Sequence, residues 1–267
     1  MSASMHVRSL PILVTLALIL AGSLYFRGWI HLRTVLPDVM PAWRGAAFLC
    51  GLLSVWLAAA SPLAMLDAEL LTFHMVQHIL LMTIGPPLIL LGSPVLHLQH
   101  GLPKFSRFAP MHRLGRILTN PVFCWFASTA VLIGWHIPAA FALGGRSGLW
   151  HLVEHATFFG AGLLFWWPVI PCWPNVTKPR WSIVLYLFLA TLPCDGLSAF
   201  LAFCGRVVYT SYLDVPWHFN LTPLQDQECA GALMWTCATF AYLIPAVLIT
   251  TRLLSASGSV TVAAGKN

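Results

Sequence analysis

The stretch Leu70-Leu71-Thr72-Phe73-His74-Met75-Val76-Gln77-His78-Ile79-Leu80-Leu81-Met82-Thr83-Ile84-Gly85-Pro86-Pro87-Leu88-Ile89-Leu90-Leu91 decides the fold. A helix crosses the hydrocarbon core of a bilayer with about 20 mostly apolar residues, and this run is long enough to do so. It nevertheless carries two imidazoles. Ionisable groups in spanning segments are rare and costly, so they mark function or a polar partner. His74 and His78 stand at i and i+4 and therefore project from one face of their helix.

The chain around this run has the same character. Of its 267 residues 58% are hydrophobic and only 8% charged, and the mean hydropathy is +0.80, far from the composition of a soluble domain. Hydropathy predicts an all-α, single-domain membrane bundle of seven spanning helices at 9–27, 43–62, 70–92, 120–141, 149–171, 181–204 and 228–251. The first apolar run, Leu10 to Phe26, lacks a good small-residue cleavage site and reads as a span rather than a signal peptide. Pro86-Pro87, Pro138, Pro193 and Pro245 predict kinks, with Gly85-Pro86-Pro87 the strongest. The Ser/Gly-rich tail after Leu254 reads as a frayed terminus.

The net charge of +6 does not imply a nucleic-acid partner, because the basic residues fall in short loops between apolar runs and leave no basic patch. Arg27, Arg33, Arg44, Lys104, Arg107, Arg113, Arg116, Lys178, Arg180, Arg252 and Lys266 share one side of the bundle. Arg8, Arg146 and Arg206 share the other. The positive-inside rule then puts the N-terminus outside and the C-terminus in the cytoplasm. Trp43, Trp181, Trp166, Trp167 and Trp173 sit where interfacial anchors are expected. The seven cysteines (50, 124, 172, 194, 204, 229, 237) form no C-x-x-C pair and read as small buried side chains.

This topology places the polar residues together. At 1.5 Å per residue His74 and His78 lie roughly 6 and 12 Å below the outer end of the third helix. His136 falls near the outer end of the fourth span, and His151, Glu154 and His155 in the first two turns of the fifth. His151 and His155 are again i,i+4, so two helices can present four imidazoles. Such a set serves Zn, Cu, Fe or Ni, while Met75, Met82, Cys194, Cys204 and Cys229 would favour Cu(I) if turned inward. Glu154 is either a ligand or, like Gln77, an acceptor that orients a histidine. His136 alone serves equally as a ligand or as a hydrogen-bonding contact to a neighbouring helix. Asp195 reads as a packing or pocket hydrogen bond, and His97, His100 and His112 as solvated loop residues. His218 either caps the site or lies on the surface.

Four motifs carry a resemblance. They are Leu66-Asp67-Ala68-Glu69-Leu70-Leu71-Thr72-Phe73-His74-Met75-Val76-Gln77-His78 with Gly85-Pro86-Pro87-Leu88; Gly134-Trp135-His136-Ile137-Pro138; His151-Leu152-Val153-Glu154-His155 with Phe165-Trp166-Trp167-Pro168; and Leu224-Gln225-Asp226-Gln227 leading to Gly231-Ala232-Leu233-Met234-Trp235. In this order, over about residues 60–250, the chain resembles the CtaG family of cytochrome c oxidase assembly factors. The resemblance implies a seven-span protein of the bacterial plasma membrane, required for maturation of a haem-copper terminal oxidase and linked to copper delivery. A terminal oxidase subunit and a copper chaperone are the partners it implies, beside membrane lipid. The family's motif positions fall here on His74, His78, His136, His151, Glu154, His155 and Asp226, as an inferred metal set. Pro193-Cys194-Asp195-Gly196 departs from the more apolar version expected.

Two other functions fit parts of the pattern. His151-x-x-Glu154-His155 is the H-x-x-E-H arrangement of inverzincin metalloproteases, in which the histidines hold zinc and the glutamate is the base. Histidines facing across helices can also ligate haem iron, which here would be non-covalent because no c-type attachment motif exists. The non-catalytic assembly factor is the leading reading, with copper at the outer face.

Overall fold

Apolar composition and local capping set the helices. The computed structural model describes residues 2–35, 41–95, 120–170, 180–213 and 220–264. Its helices are α1 (Ser2–Val35), α2 (Ala42–Ala59), α3 (Leu71–Leu91), α4 (Pro121–His136), α5 (Pro138–Gly144), α6 (Gly148–Trp166), α7 (Trp181–Phe203) and α8 (Pro223–Ala264). Asn120 caps α4 by accepting from the Val122 and Phe123 amides, with Pro121 in the first turn where its missing N–H costs nothing. Ser147 caps α6 through the Trp150 amide. A short 3-10 segment, Pro62–Ala68, joins α2 to α3.

The described residues are all helical, without strands, and five helices are long and apolar enough to cross a membrane: those over Leu10–Thr34, Ala42–Ala59, Leu71–Leu91, Trp181–Phe203 and Pro223–Ser255. The expected fourth span is the pair α4 and α5, bent by 81° at Pro138, and becomes a sixth if taken as one. The expected fifth is α6, 19 residues long. Its polar side chains His151, Glu154 and His155 lower its hydropathy, and it is not among the five. The expected basic third loop, with His97, His100 and His112, lies outside the described residues, as does His218.

The proline-based expectations separate on a physical ground. The sharp bend falls at Pro138, whereas Gly85-Pro86-Pro87 sits inside α3 behind a π-helical turn, Ile79–Ile84. The two prolines remove both N–H groups, four and five residues on, that could have bonded the Met82 carbonyl. Trp166 Nε1 donates to it instead at 3.2 Å. The Gly85 amide bonds the Leu80 carbonyl five residues back, and Ser54 Oγ donates to the same oxygen at 3.1 Å. Freed backbone groups are thus satisfied by neighbouring helices, as an apolar surround demands. Trp166 is consequently a core residue, 3% exposed, rather than the interfacial anchor expected, while Trp43 and Trp181 are exposed at their helix starts.

Small residues let the helices approach. A Cβ on Gly162 of α6 would stand 2.6 Å from the Met82 carbonyl oxygen, and one on Gly231 of α8 2.8 Å from the Ala202 nitrogen of α7. The first half of α3 packs on α8 and the second half on α2, while α6 lies against α4 and the π-turn. At the C-terminal end of α3, Tyr25 Oη donates to the Gly92 carbonyl at 2.9 Å and Arg44 Nη1 donates to Ser93 Oγ at 2.8 Å. His74, His78, His136, His151 and His155 lie towards the opposite end.

Candidate functional site: a buried histidine–glutamate cluster

Helices α3 and α6 meet with their polar faces together. Glu154 is 1% exposed and its Oε1 lies 3.3 Å from His74 Nε2 and 3.3 Å from His78 Nε2. His151 Nδ1 lies 3.6 Å from Glu154 Oε2, and His151 Nε2 lies 3.2 Å from Asp67 Oδ2 of the 3-10 segment. Ring contacts run continuously through the five imidazoles: centroids are 5.7 Å apart for His136–His78, 4.3 Å for His78–His74, 6.2 Å for His74–His151 and 4.0 Å for His151–His155. Both i,i+4 pairs therefore face one site. Phe158 stacks on His78 at 3.8 Å and Phe141 lies edge-on to His74 at 4.8 Å, so aromatic walls enclose them.

The individual histidines are held differently. His136 Nδ1 donates to the Leu132 carbonyl at 2.7 Å, which fixes its tautomer and leaves Nε2 buried with no hydrogen-bond partner. The Gln77 amide donates to the Ala64 carbonyl at 3.0 Å, so its oxygen faces His155 Nε2 at 3.1 Å and accepts that ring's proton. Gln77 is thus an orienting acceptor, as expected. His74 Nε2, both nitrogens of His78 and both oxygens of Glu154 are buried without a hydrogen-bond partner. Leaving such groups unpaired is expensive, and native proteins do it at working sites. His74, His78 and Glu154 can each offer one ligand atom within 4.8 Å of the others.

Asp226 stands apart from this group. Its Oδ2 accepts from the Leu71 amide at 2.6 Å, and its Oδ1 from the Thr72 amide at 3.1 Å and from Thr72 Oγ1 at 2.6 Å. Leu70, at the cap position of α3, has no side chain able to do this, so α8 supplies the cap across the bundle. Gln227 beside it is 1% exposed and ties the last turn of α7 to the loop after it, donating to the carbonyls of Leu201 (3.2 Å) and Arg206 (3.0 Å) and accepting from the Val208 amide (2.7 Å). That loop presents Tyr209, which donates to the His136 carbonyl at 3.1 Å. Asp67 and Tyr209 carried no signal as site residues beyond their neighbourhood, because a 3-10 segment and an irregular loop have no periodicity to read. No cysteine among the described residues joins the ligand group. Cys194 is buried in α7, Cys204 packs on Gln227 and Cys229 is exposed. Asp195, half-buried on α7, does not join it either.

Among the described residues, imidazoles and a carboxylate are buried together in a helical membrane protein, where ionisable groups are rare and mark function. The chain belongs to the cytochrome c oxidase caa3 assembly factor family (Caa3_CtaG), whose family model matches residues 23–256. The match extends N-terminally beyond the motif-bearing region to include part of α1. The chain is similar to Uncharacterized protein Mb0105 of Mycobacterium bovis and to Uncharacterized protein MT0111 of Mycobacterium tuberculosis. Each is 22% identical over 230 residues, covering 79% of this chain and 34% of the relative. The chain thus spans about a third of the length of these curated relatives. No solved structure matches it significantly.

Proposed function

We propose that this protein supports maturation of a haem-copper oxidase in the bacterial plasma membrane by holding copper at His74, His78 and Glu154 near the outer face. The observation that carries the reading is the set of buried ligand atoms with no hydrogen-bond partner. Adjacent donors bonded to one ion at about 2.1 Å and a tetrahedral angle stand about 3.4 Å apart. The two His–Glu distances of 3.3 Å are close to that. Imidazole nitrogen and carboxylate oxygen suit copper and zinc alike. Copper is preferred for its place in the oxidase, where it is cargo. His136 and His155 stand beside the three as further donors, and the protein's own contribution is to fix ring orientation and exclude lipid and water. A terminal oxidase subunit is the acceptor, and a copper chaperone is a candidate donor. His78→Ala should lower copper retention at least tenfold in anaerobically purified protein while the chain stays folded in the membrane. Oxidase activity should fall with it and recover partly in excess copper, since mass action refills a weakened site. Normal oxidase assembly by this variant under copper limitation would defeat the proposal.

The packing favours an ion over the two alternatives. His78 has one ring face covered by Phe158, which disfavours a porphyrin between the histidines. Glu154 faces His74 and His78 while His155 is tied to Gln77, a different arrangement from a motif in which His151 and His155 share zinc and the glutamate activates water.

The same proposal includes seven spans, with α6 and the α4–α5 pair as the two beyond the five. The length of α6 is about 28 Å, close to the hydrocarbon thickness, and the polar groups of its inward face are buried. With the N-terminus outside, reporter fusions after Arg116 and Gly145 should report cytoplasm and exterior respectively. The reverse pattern would overturn both topology and placement.

A further inference from the structure

We propose that Asp67 and His151 form an outer coordination station through which a transition-metal cation reaches the buried trio, an inference that rests on the metal-holding reading above. A cavity of about 480 Å³ opens beside the α5–α6 turn, lined by Asp67, His74, Phe141, Arg146, His151 and Tyr212 among others. His74 borders both this cavity and the trio. Asp67 and His151 are the carboxylate and the more exposed imidazole on its wall: their side chains are 16% and 26% exposed, against 7% for His74 and 1% for Glu154. Asp67 Oδ2 and His151 Nε2 are 3.2 Å apart, a separation suited to neighbouring ligands on one ion.

His151 reaches in both directions, with Nε2 towards Asp67 and Nδ1 towards Glu154. Glu154 itself is buried, with Oε1 towards His74 and His78 and Oε2 towards the His151 ring. A cation held by Asp67 and His151 Nε2 passes inward by exchanging one ligand at a time: the His151 ring turns to carry the ion to Glu154, which replaces Asp67, and His74 and His78 then replace His151, with no redox change. The outer donor is held in place: Tyr212 Oη donates to the Asp67 carbonyl at 2.7 Å and Gln77 donates to Ala64 in the same 3-10 segment. Arg146, exposed on the cavity wall, opposes the cation. Asp67 is the counterweight to that charge.

The test uses full-length protein in detergent and Cu2+ as the probe, following loading by stopped-flow quenching of tryptophan fluorescence and release by a chelator jump. Asp67→Asn should slow both loading and release by about tenfold, the scale on which a charged cleft alters cation association. Arg146→Gln should speed loading severalfold. Asp67→Glu should restore the wild-type rates, which separates loss of the carboxylate from damage to the segment. Unchanged rates in both Asp67→Asn and Arg146→Gln would overturn the station while leaving the buried site standing. Faster release from Asp67→Asn would overturn it too, by making Asp67 a ligand of the final site. Wild-type protein that takes up no Cu2+ would instead overturn the metal-holding reading and the station with it.

Discussion

Asp226→Ala is expected to lower folding stability by about 3 kcal/mol, the largest loss from a single polar truncation in this protein. The carboxylate satisfies two backbone amides and a hydroxyl at the start of α3, and it is 3% exposed. Water does not replace it there. The cost exceeds that of an ordinary N-cap, about 1 kcal/mol, because the orphaned donors are buried and because the acceptor is charged. Asp226→Asn, which keeps one carbonyl acceptor, should lose less. Thermal unfolding in detergent reads the effect, and copper separates the two possible roles of this residue. If Asp226 is a cap, the deficit relative to wild type persists when both proteins are saturated with metal. A deficit that appears only in metal-loaded protein would make it a ligand.

The contrast between Asp226 and Glu154 shows what the sequence could and could not reveal. Convergence of five histidines was legible because two i,i+4 pairs fix helix faces and hydropathy fixes helix ends. Those two periodicities place His74, His78, His151 and His155 without any tertiary information. The role of Asp226 was not legible, since its partners Leu71 and Thr72 lie on the far side of the chain in sequence and a cap in trans leaves no local pattern. Kinks divided for a similar reason. Pro138 and Pro86-Pro87 look alike as residues, yet Ile137 before Pro138 leaves the helix with an extended backbone, whereas Pro86-Pro87 follows a π-turn that stays helical and whose Met82 carbonyl accepts from Trp166. Position along a helix points to an interfacial anchor at Trp166, and its burial in the core overturns that expectation. Its indole N–H needed a partner, and the π-turn offered the carbonyl.

The glycine at position 144 belongs to the same logic. A Cβ there would stand 2.5 Å from Glu154 Oε2, so the end of α5 leaves room for a buried carboxylate ringed by His74, His78 and His151. A fold that buries an anion among imidazoles gives up stability for a site that a cation can fill.

Glu154→Gln is accordingly expected to change binding and stability in opposite directions. The amide keeps the shape and removes the charge, so copper affinity should fall roughly a hundredfold or more, the equivalent of about 3 kcal/mol of lost attraction. Metal-free protein should at the same time become more stable by about 1 kcal/mol or more, because desolvating a carboxylate in this apolar surround costs more than desolvating a neutral amide. The amide N–H groups can also donate to the unpaired ring nitrogens of His74 or His78. Isothermal titration with Cu2+ reads the first effect and thermal unfolding after chelation reads the second. A scaffold that docks the oxidase through its helices without holding metal predicts the stability gain with no binding to lose. A proton relay predicts wild-type copper content with altered proton uptake. Only a metal-holding site ties the two changes together, since the charge that destabilises the empty protein is the charge that retains the ion.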